Sequence, residues 1–172
     1  LAMSITRLAD GRYLDVNDAF TSLLGWRRDE IIGRSSLEYG KWLTPEDRGT
    51  WVSELSNSGR VSNREMRFRA KNGVLRDVRV SSGLIELDGE SCALVLASDI
   101  TESKRAEEKF TKVFHASPEA ISISRLSDGL YLDVNDAFVD QFGWSREEMI
   151  GRKSVDIALW SSQADRQRWT AQ

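Results

Sequence analysis

The chain has 172 residues, 40% of them hydrophobic and 30% charged, with 24 basic against 27 acidic side chains and a net charge of −3. Interspersed signs with so small a net charge give no electrostatic footprint for nucleic acid. A lone cysteine, Cys92, excludes an internal disulfide and fits a reducing compartment, and no apolar run approaches the ~20 residues that span a bilayer.

Met3, Ile5 and Arg7 alternate with polar neighbours, which predicts a half-buried strand. Ala9-Asp10-Gly11-Arg12 has turn chemistry, and Tyr13 to Val16 reads as the antiparallel return. Asn17 follows as a helix N-cap, Phe20, Leu23 and Leu24 recur at helical spacing, and Gly25 supplies the stop. Arg28 to Ile32 predicts a further short helical turn closed by Gly33. Thr44-Pro45-Glu46-Asp47 is a strong helix start: a capping hydroxyl, proline at the first helical position, then acids at the positive dipole end. Trp51 and Leu55 share one face of that helix, and Gly59 ends it.

The period then shifts from helical to two. Met66, Phe68 and Ala70 alternate with charged residues, Asn72-Gly73 marks a hairpin turn, and Val78, Val80 and Ser82 continue on the next strand, with Ile85 and Leu87 as its extension. After a second turn at Asp88-Gly89, Cys92 to Ile100 is apolar on both faces, the pattern of a central strand. Asp99 to Glu102 resembles a capping box. Ala106, Phe110, Val113 and Phe114 then form one stripe of a charged amphipathic helix from Thr101 to Ala116, ending at Ser117-Pro118.

Beyond the proline the chain repeats itself. Ser4–Trp26 returns as Ser122–Trp144 at a constant offset, and 23 of the 35 positions from Ala2 to Ser36 are identical in the second copy. Trp160, Asp165-Arg166 and Trp169 keep register with Trp42, Asp47-Arg48 and Trp51. The period suits a small domain rather than a solenoid unit. The division expected is a first domain over 1–100, an amphipathic linker helix over 101–116, and the N-terminal half of a second domain over 117–172. Completion of that half by later residues, or by exchange with another chain, is expected from the apolar face it would otherwise leave in water.

The order β-β-α-α-α-β-β-β, the stretch YLDVNDAF, the helix-ending Gly-Trp, the REEMIG-type turn and the closing strands that finish at Asp99-Ile-Thr resemble the PAS sensory domain, here in tandem. FHASPEAI at Phe114 to Ile121 resembles the usual entry into such a domain, an entry that the first copy lacks as its N-terminal cap. The resemblance implies an α+β fold, a five-stranded antiparallel sheet with short helices enclosing a pocket against one face. It further implies a non-catalytic sensory and dimerisation module of a multidomain bacterial signalling protein, with a histidine kinase or cyclic-dinucleotide enzyme as output outside the chain. The location implied is cytoplasmic, as a free protein or the cytoplasmic portion of a membrane-bound sensor.

No catalytic constellation is visible. His115 is the only histidine and reads as a surface linker residue, Cys92 reads as a small core residue, and no phosphate-binding loop or metal motif occurs. The asparagine-cysteine-arginine-phenylalanine stretch of flavin-binding members is absent, and Thr44 to Ser58 lacks the histidine that haem-binding members place on the corresponding helix. No cofactor is therefore expected. Phe20, Leu24, Trp26, Ile32, Trp42, Trp51, Met66, Phe68, Val78, Val80, Leu94 and Leu96 line either a filled core or a pocket for a small apolar ligand oriented by Ser82 or Ser98. Asp99, Thr101, Ala106, Phe110 and Val113 are the expected signal linker, which would tilt or rotate when pocket occupancy or sheet packing changes. The partners expected are a second copy of the chain, through dimerisation with strand or half-domain exchange, and an output domain in the same protein. Neither nucleic acid nor direct membrane contact is expected, and the alternative is a ligand-free interaction module.

Overall fold

A computed structural model describes residues 1–153 and 156; the repeated Trp160, Asp165-Arg166 and Trp169 lie outside the described residues. The chain divides into two compact units between Arg105 and Ala106.

In the first unit, β1 (Ala2–Arg7) and β2 (Tyr13–Val16) form the opening hairpin, and Gly11 takes the positive φ of 73° that its turn requires. Three helices come next: α1 (Asp18–Leu24), α2 (Arg28–Ile31) and α3 (Pro45–Ser58). Asn17 caps α1 by accepting from the Phe20 N–H, and Gly25 closes it at φ 74°. Thr44 and Asp47 form a reciprocal capping box on α3. The strands β3 (Arg60–Arg69), β4 (Leu75–Leu87) and β5 (Glu90–Asp99) complete an antiparallel five-stranded sheet in the order β2-β1-β5-β4-β3, so the Cys92 strand is central. The fold is α+β, with the three helices and their loops over one face.

That face carries the core: Tyr13, Phe20, Leu24, Ile31, Trp42, Trp51, Leu55, Phe68, Val78 and Val80 are all buried. Two expectations on strand parity are corrected. β5 turns Ala93, Val95 and Ala97 inward, while Leu94 and Leu96 lie half-buried on the opposite face. β1 likewise buries Ala2, Ser4 and Thr6 and leaves Met3 and Ile5 outside the core. The physical reason is thickness. Indole, phenol and phenyl rings fill the layer above β1 and β5, and beneath them those strands present nothing larger than a valine. Ile32 is also corrected: its neighbour Ile31 is fully buried, whereas Ile32 caps α2 with an extended ψ of 132° and is 36% exposed.

The helix α4 (Thr101–Ala116) has the expected bounds and straddles the division between units. In the second unit, β6 (Ser122–Ser124) and β7 (Tyr131–Val134) pair as a hairpin, followed by α5 (Asp136–Phe142) and α6 (Arg146–Met149). Tyr131, Val134, Phe138 and Met149 form its core cluster. Asn135 caps α5 as Asn17 caps α1. Each asparagine Oδ1 accepts two backbone N–H groups, from Met3 and Phe20 in one copy and from Ile121 and Phe138 in the other. The side chain thus fastens the chain entering the hairpin to the helix leaving it.

Candidate functional site

Gly40 ends the turn after α2, and the next two residues run beside the end of β3. The Arg69 N–H donates to the Lys41 carbonyl at 2.8 Å, and Trp42 bridges Phe68 in antiparallel fashion. This extended pairing buries both side chains, Lys41 to 4% and Trp42 to 7% exposure. The Trp42 indole N–H donates to Ser36 Oγ at 2.8 Å, and that of Trp51 donates to Ser82 Oγ at 3.2 Å. Both large rings therefore have their polar edge satisfied.

The Lys41 ammonium sits among four aromatic rings, 4.3 Å from the centroid of Phe68, 4.8 Å from Trp42, 5.6 Å from Tyr13 and 6.0 Å from Phe20. It has no carboxylate or hydrogen-bond partner among the described residues. Burial, and then the neighbouring Arg48 charge, pull its pKa down to about 7. Arg48, projecting from α3, crosses the Gly11 turn so closely that a Cβ there would collide with its guanidinium. Its Nε is buried without a partner, as are the hydroxyls of Tyr13 and Ser4. Burial raises the Tyr13 phenol well above its ordinary range, so it remains a donor at any physiological pH.

These groups surround a cavity of about 10 Å³ lined by Ser4, Tyr13, Ser36, Lys41, Arg48 and Phe68, among others. Such a volume holds roughly one water molecule. Arg7, also at its wall, is neutralised by Glu90 at 2.7 Å and Asp10 at 3.2 Å. No acidic side chain among the described residues lines the cavity.

Of the twelve side chains expected to line a pocket or core, Phe20, Leu24, Trp42, Trp51, Phe68, Val78 and Val80 belong to the buried cluster, and Trp26 and Met66 pack against it. Trp42, Trp51, Phe68 and Val80 border the cavity itself. Leu94 instead borders an open groove of about 230 Å³ with Met3 and Ile5, and Ser98 another of about 610 Å³ with Leu23 and Ala97. Lys41 and Arg48 were not among the expected residues. A signal was present: at the repeat offset, Lys41 aligns in sequence with Leu159, so the second copy has an apolar residue where the first has a lysine.

The linker residues divide sharply. The Thr101 hydroxyl accepts from the Asp77 N–H at 2.9 Å, the Ile100 N–H donates to the Asp77 carbonyl at 2.9 Å, and Asp99 Oδ1 accepts from the Thr101 N–H at 2.9 Å. Asp99 thus caps the helix start, while the threonine hydroxyl is drawn to β4, and the reciprocal box to Glu102 does not form. Lys104 meets Glu65 of β3 at 2.6 Å, and its hydrogen bond, together with that of Arg79, holds the Glu65 carboxyl below its ordinary range. Ala106, Phe110 and Val113 are exposed, with Phe110 stacked on Phe114 at 5.7 Å.

His115 is more than a surface residue. Arg146 donates to its Nε2 at 3.1 Å, which leaves Nδ1 to donate to Asp136 at 3.0 Å. Arg146 also holds Asp133 at 2.5 Å, repeating the Arg28–Asp15 pair of the first unit.

A family model described as a PAS domain matches residues 2–102, and one described as a PAS fold matches residues 108–167. Biofilm dispersion protein BdlA of Pseudomonas aeruginosa is 27% identical over 144 residues, covering 81% of this chain and 34% of its own length. The methyl sulfide methyltransferase-associated sensor of Methanosarcina acetivorans is 29% identical over 100 residues, 55% of this chain and 9% of the sensor. The chain therefore spans about a third of the first relative and a tenth of the second. An RNA-binding light-oxygen-voltage receptor of known structure superposes with a TM-score of 0.54 at 17% identity, covering 65% of this chain and 33% of its own; this likeness concerns the fold alone.

Proposed function

Since the chain belongs to the PAS domain family and carries two such sensory domains in tandem, we propose that it is the input module of a signalling protein and relays changes around the Lys41 cavity through α4 to an output domain. The observation that carries this reading is the Thr101–Asp77 lock. It joins the first turn of α4 to β4, the same strand that packs Val78 and Val80 into the core. A shift in the core therefore has a hydrogen-bonded route to the helix start. A histidine kinase or a cyclic-dinucleotide enzyme is the proposed output, a second copy of the chain the proposed partner along the exposed Phe110/Val113 stripe, and the cytoplasm the proposed location. No helix among the described residues is long and apolar enough to cross a membrane.

Deleting four residues between Lys104 and Lys112 shortens the helix by about 6 Å and turns the downstream segment by about 40°. Altered output from the longer protein is the expected result, and unchanged signalling would overturn the relay. A second reading, a ligand-free interaction module, draws on the small size of the cavity, about 10 Å³. Solution mass and native mass spectrometry of the purified chain separate the two: a dimer that never carries a ligand favours the second.

A further inference from the structure

Two cations with no counter-charge, converging on one polar cavity, are an unfinished electrostatic arrangement. Lys41 is nine-tenths buried or more, and neither it nor Arg48 has an ion-pair partner among the described residues. Buried charges are ordinarily paired, because the desolvation of an unpaired one is severe. The remaining polar groups agree in sign. The Ser4 hydroxyl is buried and unpartnered, the Tyr13 hydroxyl has only the equally buried Tyr39 hydroxyl near it and no hydrogen bond of normal geometry, and the Ser36 oxygen already accepts from Trp42, so its own proton is free to be given. Residues carrying ammonium, guanidinium and hydroxyl donors thus line one small volume, and no acid among the described residues borders it.

We propose that this cavity is a binding site for a small monovalent anion, a halide or a carboxylate, held between the Lys41 ammonium and Arg48 with the Tyr13 and Ser4 hydroxyls donating to it. The inference rests on the sensory reading of the same cavity and names its ligand class. The volume of about 10 Å³ is that of a single water molecule, so even a halide needs the lining side chains to yield slightly. A carboxylate needs more room, which Arg48 can give: it is only half-buried, and its planar fork matches two carboxylate oxygens. The aromatic wall would take the apolar part of a longer acid.

The titration of Lys41 supplies a pH dependence. The charged and titratable groups facing it are Tyr13 from β2 and Arg48 from α3, with Arg7 of β1 across the cavity already paired to Glu90 and Asp10. An anion binds the protonated ammonium, so affinity falls as pH rises through about 7.

The test uses the chain of 172 residues at constant ionic strength, with bulky gluconate as the balancing anion. Sodium chloride, sodium formate and sodium butyrate are titrated in turn while tryptophan emission and thermal midpoint are read. Saturable change with chloride and formate but not butyrate identifies a free small ion; tighter binding of butyrate than formate identifies the head group of an apolar acid. Either result supports the site, provided that Lys41→Leu and Arg48→Gln each weaken binding about tenfold or more and that raising pH from 6.5 to 8.5 does the same. Lys41→Leu places at this position the residue that the second copy carries, and Lys41→Arg, which keeps the charge, should retain binding. Absence of saturable change with all three salts, or equal response in folded Lys41→Leu protein, overturns the proposal. The relay through α4 would survive that result, since the linker deletion judges it separately.

Discussion

Lys41 is held close to neutrality by its surroundings, and the consequence for stability has a definite sign. Its pKa of about 7 in the folded chain lies below the ordinary lysine value, so between the two the unfolded chain binds more protons and stability rises with pH. The full penalty applies below pH 7 and is on the order of 5 kcal/mol, vanishing above about 10. Cys92 works in the opposite direction: burial raises its thiol pKa, so the unfolded chain loses that proton first and stability declines above about pH 8.5. The window that isolates the lysine is therefore pH 7 to 8.5. Urea melts there should show stability increasing with pH, and Lys41→Met should both stabilise the protein and flatten the slope. A slope retained in that variant would assign it to another group. The residue scale is also where the sequence was least informative. A lysine between Gly40 and Trp42 has no local mark of burial, and its fate is decided by the pairing of that segment with β3, a contact distant in the chain.

Elements were legible wherever their ends are marked by chemistry. Asn17, the Thr44-Pro45-Asp47 start and Gly25 and Gly59 at the stops define α1 and α3 locally, because each satisfies backbone groups that the helix leaves orphaned. Thr44→Ala should cost about 1 kcal/mol by urea denaturation, because the Asp47 backbone N–H loses the hydroxyl that accepts it. Parity in β5 was not legible, since Cys92 to Ala97 offers apolar side chains to both faces, and only the aromatic layer above it selects the alanines and Val95. The junction at Thr101 was half legible: the helix start was visible, but the hydroxyl's partner belongs to β4. Thr101→Val removes the acceptor of the Asp77 N–H in a buried place and should cost about 1–3 kcal/mol. Hydrogen exchange at Asp77 and in the first turn of α4 should accelerate before the rest of the sheet; uniform acceleration would mean that the lock merely stabilises the fold.

For the whole molecule, the repeat was the strongest signal in the sequence. The first unit has a complete sheet, its own core and its own cavity, all within Leu1–Arg105. A chain ending at Ala116 should therefore unfold cooperatively and keep the pH slope of Lys41. Loss of a sharp urea transition would show that the core depends on residues beyond α4. One arrangement in that core also provides its own optical handle. Trp42 and Trp51 lie 5.8 Å apart with their planes inclined at 42°. Two chromophores so close and so oblique exchange excitation, and their mixed transitions rotate light in opposite senses. The resulting two-signed band in circular dichroism, erased by Trp42→Phe, would track the loosening of the aromatic wall without any attached dye.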